Sequence, residues 1–156
     1  MTTLAGSGVS GFADGIGAAA TFDEPYGLAI DSSDAILYVS DNDTNTIRKI
    51  VIATGDVTTL AGTANAIGSA DGTGAAAEFH MPEGLTMDTA DNLYVVDRSN
   101  STIRKVTPAG VVTTVGGTAY HVGLSEGVLP KPRFATLSGD ILYLTARHGV
   151  MVMTLP

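Results

Sequence analysis

The sequence contains no cysteine and no tryptophan, has few bases and few other aromatics, and has no long apolar run. Without thiols there is no disulfide framework, no cysteine nucleophile and no thiolate-bound metal. No apolar stretch approaches the ~18 residues of a membrane-spanning helix. The opening "MTTLAGSGVSG" lacks the basic start and apolar centre of a secretory leader. Bases number 8 against 16 acids, a formal net charge of −8. Such a chain repels phosphate backbones and anionic headgroups, so neither nucleic acid nor a membrane is expected as a partner. The basic pairs Arg48–Lys49, Arg104–Lys105 and Lys131/Arg133 stand isolated along the chain. Composition leaves the compartment open, with an extracellular one preferred.

What is present is a repeat. The 156 residues suit one domain with a sizeable core, and the 44% of hydrophobic residues are mostly Val, Ile, Leu and Ala, punctuated by 19 glycines and 6 prolines. "TTLAG" at Thr2–Gly6 returns at Thr58–Gly62, and "TTVGG" stands at Thr113–Gly117. Between them "ADGIGAAATF" (Ala13–Phe22) matches "ADGTGAAAEF" (Ala70–Phe79), and "PYGLAID" (Pro25–Asp31) matches "PEGLTMD" (Pro82–Asp88). Further on, "ILYVSD" (Ile36–Asp41) pairs with "NLYVVD" (Asn92–Asp97), and "NTIRKI" (Asn45–Ile50) with "STIRKV" (Ser101–Val106). A third, eroded unit keeps "ILYLT" (Ile141–Thr145), with Pro132 standing where Pro25 and Pro82 do. Each unit reads as four short β-rich runs separated by turn residues. Four antiparallel strands at a period near 50 residues describe a propeller blade, which must stack on neighbours to bury its faces.

The pattern "PxGLxxD…LYVxD…TIRKI…VTTLAG" resembles the NHL repeat of β-propeller proteins, in the variety with a long glycine-rich "ADGxGxAAxF" segment between blades. The resemblance implies an all-β, NHL-like propeller over residues 1–156, with three four-stranded blades per chain, half of a six-bladed ring. An outer strand at 2–6 is followed by blade one (21–62), blade two (78–117) and a divergent blade three (128–156). In such propellers the pentad is a blade's outermost strand, so Thr2, Thr3, Leu4, Ala5 and Gly6 form a spare one while the last blade lacks its own. Three blades are too few to close a ring. The expectation is a homodimer of half rings, each pentad completing the last blade of the other chain. An open filament by the same exchange, or a segment of a longer propeller, is the alternative.

Asp41 and Asp97 end the second strand of their blades, and Arg48 and Arg104 follow seven residues later. They are expected to be structural ion pairs rather than catalytic groups, because the third unit carries Ala146 and Met151 in their places and loses both charges together. Asp14–Gly15 and Asp71–Gly72 read as turns, since they lack the alternating ligands of a calcium loop. His80, His121 and His148 have no metal-ligand spacing, and no cofactor or metal is assigned. The loops on one face differ between units while the framework repeats, which makes Glu24, Tyr26, Asn42, His80, Glu83, Arg98, Arg133, Arg147 and His148 candidate binding residues. Asn42 and Asn100 open glycosylation sequons that matter in a eukaryotic secretory setting. The expected function is a non-enzymatic interaction module presenting an acidic loop face to a protein or glycan. The alternative is a small-molecule lyase, hydrolase or ligand binder using the axial channel with a metal.

Overall fold

The structure, a computed structural model, describes residues 1–119, 131–146 and 149–155. It holds three antiparallel sheets and no α-helix among the described residues. The first sheet comprises β1 (Gly15–Ile16), β2 (Pro25–Ile30), β3 (Ile36–Asp41), β4 (Thr46–Val51) and β5 (Asp56–Ala61), in the order β1-β5-β4-β3-β2. The second repeats it with β6 (Gly72–Thr73), β7 (Pro82–Met87), β8 (Leu93–Asp97), β9 (Thr102–Val106) and β10 (Val111–Gly117), in the order β6-β10-β9-β8-β7. The third contains β11 (Phe134–Ser138), β12 (Ile141–Ala146) and β13 (Gly149–Thr154) in sequence order. The four runs of each full repeat are therefore strands, and the glycine-rich segment adds a short fifth at the outer edge. Thr2–Gly6 forms no strand here.

The sheets stack as blades, with β2 beside β7 and β7 beside β11. Alternation along each strand sends one set of side chains to the next blade and the other to the previous one. Tyr38, Ile47 and Ala61 of blade one thus meet Phe79, Leu85, Leu93, Val95 and Val106 of blade two in one core. Tyr94, Val96 and Ile103 meet Leu142 and Leu144 of blade three in a second. A third cluster, Ala20, Val39, Ile50 and Val57, lies on the other face of blade one, with Ala5 and Phe22 against it.

Two glycines set the distance between inner strands. A Cβ at Gly27 would stand 2.2 Å from the Glu83 carbonyl oxygen, and one at Gly84 would stand 2.6 Å from that of Arg133. Backbone therefore meets backbone where blades converge. The Ser40 hydroxyl accepts from Gly27 N–H (2.8 Å) and donates to the Glu83 carbonyl (2.6 Å), tying the first two inner strands together. Gly84 N–H donates directly to the Arg133 carbonyl at 2.9 Å. Register makes Phe134 the third member of this series, because Leu28, Leu85 and Ala135 face Val39, Val95 and Leu144. The unit alignment is also visible in the backbone: Glu24, Met81 and Lys131, each preceding a proline, have φ of 54°, 53° and 45°.

Candidate functional site

The two repeated Asp–Arg pairs, one in each full blade, form clamps. Arg48 is fully buried, and its Nη1 donates to Asp41 Oδ2 (3.0 Å) and to the Thr21 carbonyl (3.1 Å). Its Nη2 donates to the Ala13 carbonyl (3.0 Å) and to Asp14 Oδ1 (2.7 Å). Arg104 repeats the set with Asp97 (3.0 Å), the carbonyls of Glu78 and Ala70 (both 2.8 Å), and Asp71 (2.8 Å). Phe22 and Phe79 lie under the two guanidinium planes at 5.1 and 5.2 Å. Each arginine thereby pins the whole glycine-rich loop to its blade. Asp14 and Asp71 are more than turn residues, since each also accepts from the N–H and hydroxyl of Thr59 or Thr114. Ala146 and Met151 fall at the equivalent register in blade three, where Leu144 faces Met151 as Val39 faces Arg48.

Burial pushes the Asp97 carboxyl up to about 6, against the opposing pull of Asn100, the His80 N–H and Arg104. Burial raises Asp41 likewise, against the Asp23 N–H and Arg48. Asp71 goes the other way: burial would raise it, but the Thr114 N–H, Arg104 and the Thr114 hydroxyl together hold it below the usual carboxylate range. Each of these carboxylates is engaged by protein donors at both oxygens, which marks them as structural.

On the loop face the residues separate. Glu24 and Tyr26 are exposed, and the Tyr26 ring lies 5.6 Å from that of Phe134. His80 is half-buried, and burial lowers its pKa. Arg147 and His148 lie outside the described residues. Asn42 and Asn100 require correction. Asn42 is buried with Nδ2 donating to the Pro82 carbonyl (3.2 Å), and Asn100 is fully buried with Nδ2 donating to the Gly68 carbonyl (2.6 Å) and Asp97 (2.7 Å). Neither amide can carry a glycan in this fold, and neither forms part of an exposed face.

Glu83 is corrected too. It is no solvated loop acid but a residue 3% exposed, paired through Oε1 with Arg98 Nη1 at 3.1 Å. Burial raises its pKa, while Arg98 and Arg133 oppose the rise. Beside this pair Arg98, Lys131, Arg133 and Ala146 line a hollow of about 540 Å³. The Lys131/Arg133 pair, isolated along the chain, meets Arg98 here, so the loop face is not uniformly acidic. Lys131 carries no sequence signal for this role. It reaches Arg98 only because β11 enters next to β7, across the boundary between two repeats. No group of three or more His, Cys, Asp or Glu suited to a metal exists among the described residues.

The comparisons fit this architecture. Residues 79–106 match the family model of the NHL repeat. This is an NHL-repeat chain. NHL repeat-containing protein 2 of Homo sapiens is 32% identical across 87% of the chain and 21% of its own length. The chain therefore spans about a fifth of that relative. A solved structure of a Bacteroides thetaiotaomicron protein of unknown function superposes with a TM-score of 0.72 at 25% identity, covering 83% of this chain and 35% of that one. An auxiliary nutrient binding protein of the same organism superposes at 0.68 and 19% identity, over 80% of this chain and 36% of its own, and shares the fold. The three stacked sheets are part of a β-propeller.

Proposed function

We propose that this NHL-repeat chain is a non-enzymatic interaction module that completes a propeller with a second copy of itself and offers its loop face to a protein or glycan partner. One observation carries the reading: the two open faces of the stack repeat the two sides of its internal junction. The outward side of blade one carries Leu28, exposed, beside Phe22, Leu37, Val39 and Ile50, which lie under or against Ala5; these are equivalents of Leu85, Phe79, Leu93, Val95 and Val106. Leu85 is 8% exposed against Tyr38 and its neighbours, whereas Leu28 is 62% exposed. The uncovered side of blade three carries Ile141, Tyr143 and Val150 at the positions of Ile36, Tyr38 and Ile47. Val150 is 72% exposed, and Val152, standing where blade one has Lys49, is 62% exposed. Burying such side chains is worth about 1.5–3 kcal/mol each, and leaving them in water invites association.

The leading pentad supports the same arrangement. Gly6 N–H donates to the Gly17 carbonyl (3.0 Å) as Gly62 N–H donates to that of Gly74 (3.1 Å). Relative to blade one it thus stands where the outer strand of a preceding blade belongs. In the paired reading it lies along the free edge of β13 in the other copy. On the loop face, Glu24 and Asp43 supply exposed acid at blade one.

Light scattering of the eluting chain tests the pairing. The expected mass is twice that of one chain, and Leu28→Glu or Val150→Glu, both at exposed positions, should shift it to one. A wild-type chain that remains single and well dispersed at high concentration overturns the assembly.

A further inference from the structure

Eight lysines and arginines serve this chain, and their placement is uneven. Arg48 and Arg104 are locked between two carboxylates each. Arg98, Lys131 and Arg133 instead gather round one hollow, and among the described residues Glu83 is the carboxylate that pairs with Arg98 and feels Arg133. Three positive groups against one negative leave the hollow cationic in a chain whose net charge is −8. Among the described residues neither Lys131 nor Arg133 makes an ion pair. Among the described residues, Arg98 Nε and Glu83 Oε2 are buried without a hydrogen-bond partner. Native structures seldom leave such groups unsatisfied without reason.

We infer that the hollow lined by Arg98, Lys131 and Arg133 binds a small dianion, a dicarboxylate or phosphate. Its volume of about 540 Å³ falls within the ~300–1,000 Å³ of small-ligand sites. Ala146 alone of the described lining is apolar, which suits a compact polar ligand better than a greasy one. Guanidinium forks match the paired oxygens of carboxylate and phosphate, while a lysine adds a movable point charge. Two such charges in excess fit a ligand carrying two negative ones. The inference rests on the loop face as a binding surface and not on pairing between copies.

Calorimetric titration of the full chain with succinate and, separately, with inorganic phosphate tests it, at low ionic strength and pH 7. At least one should bind saturably and raise the melting temperature. The anion preferred tells carboxylate from phosphate. Arg133→Gln and Lys131→Gln, both at exposed positions, should each weaken binding tenfold or more, and added salt should weaken it further. Absence of saturable binding by either anion, or variants that bind as the wild type does, overturns the site. A chain that binds the anion yet stays single removes the pairing and keeps the hollow. One that pairs but binds neither anion does the reverse.

Discussion

Arg104 shows how much one side chain can organise. Its two terminal nitrogens reach Asp97, Asp71 and two backbone carbonyls, so one guanidinium ties a strand end to a loop 33 residues away in sequence. Removing it strands Asp97, which is fully buried. Arg104→Met is expected to destabilise the chain by about 3–5 kcal/mol, the usual penalty for an uncompensated buried charge. Blade three indicates the remedy, because Ala146 and Met151 occupy the same two positions without charge. Asp97→Ala combined with Arg104→Met should therefore lose clearly less than the two single losses together, as read by urea unfolding of the four chains. Strict additivity would mean that the two residues are not energetically coupled.

At the scale of the element, the entry of each inner strand decides how tightly blades meet. Gly27 and Gly84 admit the neighbouring backbone, and Phe134 closes that space with a ring 51% exposed. Gly27→Ala is expected to cost about 1–3 kcal/mol through overpacking against the Glu83 carbonyl. Phe134→Gly should have the opposite effect on assembly, tightening the junction between copies and lowering the concentration at which they part. A dilution series followed by light scattering compares it with the wild type, and equal or weaker association would count against Phe134 as a spacer. These elements were largely legible in advance. The alternation of "TIRKI" and the "DG" and "SSD" punctuation mark strands and turns locally, and the joint loss of Asp and Arg in the third unit marks them as partners. The clamp's second carboxylate was not legible, since Asp14 meets Arg48 only after the loop folds back across the blade. Nor was the burial of Asn42 and Asn100, because a three-residue sequon says nothing of what packs over it. Arg98 and Arg133 were legible as loop-face residues that vary between units, but their meeting with Lys131 was not, because the three belong to different repeats.

For the whole molecule, charge and burial combine into a pH dependence. Asp97, held at about 6, takes up its proton in the folded chain before the unfolded chain does at its ordinary 3.8. Its contribution to stability is thus complete below 3.8 and is lost as pH rises through about 6. Asp71 and Asp88 have the opposite sign. Burial tends to raise both, but N–H and side-chain donors, Arg104 at Asp71 and Asn92 at Asp88 among them, hold them below 3.8. What they contribute is present above 3.8 and disappears as pH falls through their depressed values. Self-repulsion at a net charge of −8 also eases on mild acidification. Melting temperatures measured from pH 3 to 8 at fixed protein concentration should peak between about 4 and 6. A steady climb to pH 8 would contradict the assignment.

The clamps are unevenly shared, and that has a mechanical meaning. Blades one and two each hold an arginine locked inside a cage of acids and carbonyls, while the third sheet has only methionine and alanine at those positions. A sheet without such a clamp is expected to open first, and amide exchange along β11 to β13 should outpace that along β4 and β9.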